Sequence, residues 1–275
     1  MNFEGKKGLV IGVANDRSIA WAIAQQILNN GGKCGFTHLP DRPDDERQKN
    51  RRRVSKLTDQ YDNAEFLLPM DANNDDDIRN IFDHTAKTFG KIDFLLHSIA
   101  FADREDLGRE TMHTSRDGFK LAMESSVYSL MAITAAAEPI MNEDGAVLTM
   151  TYYGGEKCVP GYNVMGVCKA ALDAAMRYLA FDMGARGVRV NALSAGPVQT
   201  LAGRAAGVEK MLKMYEHMAP MGRNVTHEEV GRTGAFLLSD DSKGVSGDIL
   251  HVDGGYHAMG SPGRLLDEIE KAQQG

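Results

Sequence analysis

The chain has 275 residues, a formal net charge of −7 and a sequence pI near 5.6, which argues against nucleic acid as a partner. Its basic run at 51–53 lies among acidic residues, and this pattern is typical of a solvated helix face. Three cysteines without C-x-x-C spacing (Cys34, Cys158 and Cys168) favour a reducing compartment, and the apolar run at 9–14 is too short to span a membrane, so we expect a cytoplasmic protein without membrane association.

Apolar, β-rich runs alternate with stretches of helical periodicity along the chain. This alternation predicts an α/β fold, a single Rossmann-type doubly wound domain with a parallel sheet of about seven strands flanked by helices. The early strands are nearly continuous apolar runs, as expected where helices cover both sheet faces. In chain order we predict strands at 9–13, 34–37, 65–68, 92–97, 146–150, 188–193 and 249–252, and helices at 18–30, 44–60, 75–89, 118–139, from 162 onward, at 209–217 and at 226–238.

No linker, repeat or low-complexity segment divides the chain, so we expect one dinucleotide-binding and catalytic domain over residues 1–275. We assign a tail to 258–275, within which apolar residues at 265, 266 and 269 predict a short helix over 261–275. Within the domain, the third helix shows its boundaries clearly. Asn74 can cap it, and the three aspartates at 75–77 complement the helix dipole.

A turn between the first strand and the first helix is a candidate phosphate site. Gly12 ends the strand, and Ser18 and Ile19 begin the helix, whose amides can hold a pyrophosphate. The G-x-G-x-x-G pattern is incomplete, so a plain capped turn is the alternative. Further candidates follow the third and fourth strands, where a doubly wound sheet binds its ligands: Asp71 with Ala72, and Ser98, Ile99 and Ala100.

The residues leave the choice between NADH and NADPH open. A carboxylate at Asp71 could accept from an adenine amino group, although a turn or cap role would equally suit it. After the second strand, no acid stands where a ribose diol is usually held. We favour NADH because Leu39 and Pro40 supply no cation, whereas Arg42 would favour NADPH.

The stretch from Tyr152 to Lys169 passes from a strand through a glycine-rich turn into a helix. Tyr162 opens that helix and Lys169 follows two turns later, so both side chains lie on one face. A phenol and an ammonium group on one face of a helix could line one wall of a site, so both are candidate catalytic groups. Alternatively, Tyr162 is a half-buried aromatic residue and Lys169 a snorkelling surface lysine.

Taken together, these stretches resemble the short-chain dehydrogenase/reductase superfamily and, within it, the bacterial enoyl-acyl-carrier-protein reductases, over about residues 3–257. Carbonyl reductases of the superfamily place their lysine four residues after the tyrosine, whereas enoyl reductases use seven, with another tyrosine ten residues earlier. Tyr152, Tyr162 and Lys169 have the enoyl spacing. The resemblance also rests on Gly12 with 18–20, on 97–99, 163–166, 189–191, 194–197 and Thr200, and on 251–255.

The resemblance implies the roles of these residues. Tyr162 would hydrogen-bond the thioester oxygen as hydride reaches the β-carbon of a trans-2-enoyl thioester. Lys169 would bind the nicotinamide ribose, and Tyr152 would border the thioester. After the sixth strand, the cofactor-binding residues would be Gly196, Pro197, Val198 and Thr200, with the Val198 backbone at the carboxamide and Thr200 at phosphate.

The segment 199–223 is predicted to be a lid over the substrate, because flexible methionines at 211, 214, 218 and 221 suit acyl chains of varied length. The substrate is expected to be linked to an acidic acyl carrier protein. Since this chain is also acidic, a local basic patch of Arg204, Lys210 and Lys213 would bind the carrier. The resemblance further implies a homotetramer formed through the Tyr162 helix and the helix before it.

Two other functions compete with this interpretation. A carbonyl reductase would need a serine at the end of the fifth strand, where the nearest hydroxyls are those of Thr149 and Thr151. A non-catalytic dinucleotide sensor could discard the tyrosine and lysine that this chain retains. The histidines lack metal-ligand spacing, so we expect no metal, and His217, His227, His251 and His257 are predicted to be caps or surface residues.

Overall fold

The computed structural model describes residues 1–199 and 208–274. Its strands and helices alternate as the sequence predicts. The strands are β1 (Lys7–Ile11), β2 (Lys33–His38), β3 (Ala64–Pro69), β4 (Ile92–His97), β5 (Met141–Thr151), β6 (Arg189–Ala195) and β7 (Ile249–Val252). The helices are α1 (Ile19–Asn29), α2 (Lys49–Thr58), α3 (Asp75–Phe89), α4 (Arg104–Gly108), α5 (Arg116–Met123), α6 (Ser129–Ala137), α7 (Asn163–Gly184), α8 (Val208–Met218), α9 (His227–Leu238) and α10 (Leu265–Gln274).

The strands form one parallel seven-stranded sheet in the order β3-β2-β1-β4-β5-β6-β7. The chain therefore winds outward in one direction from β1 and then in the other from β4. This is the predicted doubly wound fold, with its topological switch point between β1 and β4. Consequently, the carboxyl ends of all seven strands share one edge.

Side chains of the strands supply two hydrophobic cores, one on each face of the sheet. In β4, Leu95 belongs to one core and its neighbours Phe94 and Leu96 belong to the other, and all three are fully buried. Successive side chains of a strand point to opposite faces, so an uninterrupted apolar run is needed when both faces are covered. Among the described residues, no helix is both long and apolar enough to cross a bilayer.

Two predicted helices differ from the observed ones. The helix expected over 44–60 begins at Lys49, because the Asp41 carboxylate accepts the amides of Asn50 and Arg51 and so caps the chain there. The helix expected over 118–139 is interrupted at 124–128 by a π-helical turn. The widened turn accompanies buried serines that bond inward: the Ser126 hydroxyl accepts from the Phe101 amide at 3.1 Å, in the loop that follows β4.

Candidate active site

The predicted cofactor residues lie at the carboxyl edge of the sheet. Gly12, Ser98 and Gly196 directly follow β1, β4 and β6. The Ser98 amide donates to the Ile11 carbonyl at 3.0 Å, and the Gly196 amide donates to Val252 at 2.8 Å, so both loops leave the sheet in a defined direction. The fold thus brings together residues that are far apart in the chain, including Ile99, Ala100, Pro197 and Val198.

The turn after β1 packs closely against the start of the loop that follows β4. Gly12 has φ +106°, and a Cβ atom there would lie 2.1 Å from the Ser98 carbonyl oxygen, so only glycine fits. The Ser18 hydroxyl accepts from the amides of Ala14 and Asn15, both at 3.0 Å. Ser18 and Ile19 start α1 after this turn, where helix amides favour anions. The start of α1 can therefore hold a dinucleotide pyrophosphate.

Asp71 and Ala72 follow β3 and are half-buried. One Asp71 carboxylate oxygen accepts the Asn73 amide at 3.0 Å, while the Asp71 amide donates to Asp77 at 2.9 Å. Asp71 thus serves as a turn residue, and its other carboxylate oxygen lies on the same edge of the sheet as the phosphate turn. The turn role and the predicted adenine contact are compatible.

The loop after β2 contains the residues that bear on cofactor choice. Leu39 is 62% exposed and Arg42 is also exposed, whereas both carboxylate oxygens of Asp41 accept helix amides. Asp41 is therefore engaged at the start of α2. Beyond β6, Thr200 lies outside the described residues, as does Arg204 of the predicted carrier patch.

Tyr152 and Tyr162 converge at the end of β5. Tyr152 follows that strand directly, and Tyr162 occupies the N-cap position of α7. Their rings meet edge to face, with centroids 4.7 Å apart. Burial raises the pKa of Tyr152 to about 12, and burial beside Tyr152 raises the pKa of Tyr162 further above the ordinary value. Both phenols are therefore neutral at physiological pH and can donate hydrogen bonds.

Lys169 is buried, which rules out the snorkelling alternative. Its ammonium nitrogen donates to the Met150 carbonyl oxygen at 2.7 Å. Burial lowers the pKa of Lys169 to about 8, although the nearby Asp173 carboxylate acts in the opposite direction. Since Met150 belongs to β5, this bond holds the lysine against the strand that Tyr152 directly follows.

Sequence reasoning missed three buried polar side chains around this wall. His97 lies between the hydroxyls of Thr149 (3.0 Å) and Ser129 (2.9 Å), and burial lowers its pKa to about 3, so it is neutral. Asp173 lies one turn after Lys169 on α7 and is buried. Tyr215 hydrogen-bonds Tyr152 at 3.1 Å. The i, i+4 spacing could have pointed to Asp173, whereas no local pattern points to Tyr215.

His251 and His257, predicted to be caps or surface residues, are both partly buried, and each has a carboxylate partner. Their rings stack with centroids 4.0 Å apart. His251 bonds Glu156 at 2.6 Å, and His257 bonds Asp253 at 3.0 Å. The carboxylates of Glu156 and Asp253 thus pair with the two histidines, beside the turn that follows Tyr152. Their separation in sequence from Glu156 concealed this arrangement.

Part of the predicted lid contacts the tyrosines. Met211 and Met214 pack against a cluster of three buried tyrosines, Tyr152, Tyr153 and Tyr215, together with Tyr162 and Tyr256. Tyr153, for which the sequence suggests no role, fills this cluster and donates to the His257 carbonyl at 3.3 Å. Lys213 is exposed on α8. No metal-binding group of His, Cys, Asp or Glu occurs within ranges 1–199 and 208–274.

The family described as Enoyl-(Acyl carrier protein) reductase matches residues 12–257. This chain belongs to that family. As an enoyl reductase family member, it is an oxidoreductase of fatty-acid biosynthesis. The match includes the phosphate turn, the Tyr152–Tyr162–Lys169 wall and the last strand.

Individual enoyl reductases resemble the chain over almost its whole length. It is 46% identical to the enoyl-[acyl-carrier-protein] reductase [NADH] of Nostoc sp., with 94% of this chain and 99% of the relative covered. The enoyl-(acyl-carrier-protein) reductase of Anaplasma phagocytophilum, solved in complex with NAD, is 40% identical with a TM-score of 0.88, over 95% of this chain and 98% of that one. The Bacillus cereus reductase, solved with NADP+ and indole naphthyridinone, is 45% identical with a TM-score of 0.89, over 95% and 100% of the two chains.

Proposed function

We propose that this chain reduces the carbon–carbon double bond of trans-2-enoyl-acyl-carrier-protein thioesters with NADH, the last step of the type II fatty-acid elongation cycle. It is an NADH-dependent enoyl-acyl-carrier-protein reductase, like its relatives. The observation that carries the proposal is the wall formed by Tyr152, Tyr162 and Lys169 at the carboxyl edge of the sheet, beside the Gly12 turn.

Tyr162 is the proposed hydrogen-bond donor to the substrate. Reduced nicotinamide, when bound, supplies the hydride that reaches the β-carbon. The thioester oxygen then gains negative charge, and the Tyr162 hydroxyl stabilises it by donating a hydrogen bond before the α-carbon is protonated. The raised pKa of Tyr162 suits this role, because the phenol keeps its proton until that charge forms. Tyr152, whose ring contacts the Tyr162 ring edge to face, would border the thioester.

Lys169 and the loops hold the dinucleotide in this proposal. The buried ammonium of Lys169 would bind the nicotinamide ribose hydroxyls and keep the local potential positive. Gly12, Ser18 and Ile19 would hold the pyrophosphate, with Asp71 and Ala72 at the adenine, and Ser98, Ile99 and Ala100 along the dinucleotide. Gly196 and Pro197 would also contact the dinucleotide, with the Val198 backbone at the carboxamide and Thr200 at phosphate.

A carbonyl reductase fits the site less well. The Thr149 hydroxyl, one of the two nearest to the end of the fifth strand, is already bonded to His97 at 3.0 Å. Thr151 is buried beneath the turn. Neither can contact a substrate carbonyl without first losing its buried surroundings, so the tyrosine pair remains the better donor for an enoyl thioester.

We also propose a cytoplasmic homotetramer of single-domain subunits, with a lid near 199–223 and a tail at 258–275. Exposed apolar side chains on α6 and α7 support the assembly, because large apolar groups on adjoining helices are typical of subunit interfaces. Lys213 on α8 supports a carrier site near the lid, since an exposed cation attracts an acidic carrier.

The decisive experiment follows oxidation of NADH and of NADPH by the purified protein with crotonyl thioester and with a 3-ketoacyl thioester. We expect turnover of the crotonyl substrate, faster with NADH. Turnover of the 3-ketoacyl substrate alone would instead identify a carbonyl reductase. Dinucleotide binding without turnover of either substrate would identify a sensor.

A further inference from the structure

Tyr215 has no part in the mechanism above, yet it is among the largest fully buried side chains in the described structure. It lies on α8, and its ring stacks on that of Tyr256 with centroids 3.7 Å apart and 13° between planes. Its phenol oxygen lies 3.1 Å from that of Tyr152. The stack and the hydrogen bond therefore hold the Tyr215 ring at two points.

The end of the helix that carries Tyr215 is bonded to the segment that directly follows it. The Ala219 amide donates to the Tyr215 carbonyl at 2.8 Å, and the Asn224 side-chain amide donates to the Leu212 carbonyl at 2.9 Å. Tyr215 is 1% exposed, so its hydroxyl has no access to bulk water and depends on the Tyr152 oxygen for a partner. Leaving a buried hydroxyl unpaired would be costly.

The same bond restrains Tyr152. Tyr152 lies between two phenols: its oxygen meets Tyr215, and its ring meets the Tyr162 ring at 4.7 Å. If Tyr215 donates, the Tyr152 oxygen accepts, and the proton of Tyr152 remains available for a second acceptor in the cleft. Accepting one hydrogen bond polarises a hydroxyl and makes it a stronger donor of the next.

We propose that Tyr215 is a positioning residue for enoyl reduction: it donates to Tyr152, orients the Tyr152–Tyr162 pair, and links that pair to docking of α8 against the site. The inference rests on the proposed function, and it adds a group that does not touch the substrate. Tyr215 also belongs to the predicted lid, 199–223, so its bond to Tyr152 joins that segment directly to the tyrosine pair.

The test compares Tyr215→Phe, Tyr152→Phe and the double variant with the wild-type enzyme. Phenylalanine retains the stack on Tyr256 and removes only the hydroxyl. We expect Tyr215→Phe to lower kcat on crotonyl thioester by about threefold to tenfold, the usual worth of one neutral hydrogen bond, with KM and NADH affinity unchanged. The double variant should be no slower than Tyr152→Phe, because both changes break the same bond.

A second measurement detects the bond without catalysis. In protein labelled with [13Cζ]tyrosine, the Tyr152→Phe spectrum assigns the Tyr152 resonance, which should shift in Tyr215→Phe. Tyr61→Phe is the control, because that ring packs against Trp21 in another hydrophobic core and lies outside the tyrosine cluster; it should alter neither kcat nor the Tyr152 resonance.

An unshifted Tyr152 resonance, an unchanged kcat, or losses that multiply in the double variant would each overturn the inference. A wild-type protein that leaves crotonyl thioester untouched would instead overturn the proposed function. In that case, the resonance alone would decide whether Tyr215 positions Tyr152.

Discussion

At the scale of single residues, burial controls the protonation of the reacting wall. It disfavours the charged form of every group, so it raises the pKa of Tyr162 and lowers that of Lys169 to about 8. The first shift retains the proton that the mechanism uses. Because the pKa of Lys169 is about 8, the loss of its ammonium charge can be followed by a titration at mildly alkaline pH.

Replacing Tyr162 by phenylalanine should isolate the donor role. Tyr162→Phe keeps the edge-to-face contact with Tyr152 and removes one hydroxyl. We expect kcat to fall roughly 10- to 1000-fold, by comparison with loss of one oxyanion donor, with NADH affinity retained. Steady-state rates and a fluorescence titration measure the two quantities. An unchanged kcat would exclude Tyr162 from the reaction.

Affinity for NADH should depend on pH through Lys169. The ammonium form predominates below its pKa of about 8 in the free protein and is lost as pH rises through that value. If only this form binds the cofactor, the Kd for NADH should rise about tenfold per pH unit above pH 8. Fluorescence titrations between pH 7 and 9.5 test this dependence.

Lys169→Ala is the matched variant for that titration. It should bind NADH more weakly than the wild type at pH 7 and lose the pH dependence. If the variant kept the wild-type affinity, or followed the same pH profile, the cofactor would not be sensing the Lys169 charge.

At the scale of elements, the start of α9 has a complete capping box. The Thr226 hydroxyl accepts from the Glu229 amide at 3.1 Å, and the Glu229 carboxylate accepts from the Thr226 amide at 2.9 Å. Arg223 also pairs with Glu229. These bonds fix the point at which the chain leaves the lid region and packs as a helix against α1.

Thr226→Ala should therefore lower the free energy of unfolding by about 1 kcal/mol, the usual cost of losing a helix N-cap. Thr226→Ser keeps the accepting hydroxyl and should retain most of the stability. Urea unfolding at fixed chain concentration measures both variants. Equal losses in the two variants would show that the methyl group, not the cap, is responsible.

At the scale of the whole molecule, α6 and α7 leave large apolar side chains uncovered in the isolated chain. Tyr178 and Phe181 on α7 are 75% and 83% exposed, and Met131 on α6 is 46% exposed. Covering these groups in the proposed homotetramer would remove apolar surface from water.

Phe181→Glu should weaken that assembly, because a buried, unpaired carboxylate is costly at an interface. Sedimentation velocity should show a smaller species than the wild type. Met112→Glu is the control, since Met112 is 79% exposed but lies outside these two helices. A wild-type sedimentation profile for Phe181→Glu would place the interface elsewhere.

Much of the fold could be predicted because its signals are local. Asn74 caps α3 as expected, its side-chain oxygen accepting from Asp76 and Asp77, and the apolar face of that helix is buried. Periodicity likewise distinguished the strands from the helices. The helix start at Lys49 could not be predicted in this way, because the Asp41 carboxylate that caps it lies outside the helical pattern.

The sequence by itself determined the fold class, the glycine turn after the first strand and the spacing of Tyr152, Tyr162 and Lys169, because these depend on neighbours within one or two elements. Only the tertiary structure decided that Lys169 is buried, that His251 stacks on His257, and that Tyr215 bonds Tyr152 from 63 residues away. Hydrogen bonds and burial act through space, and the chain positions that they join carry no common local pattern.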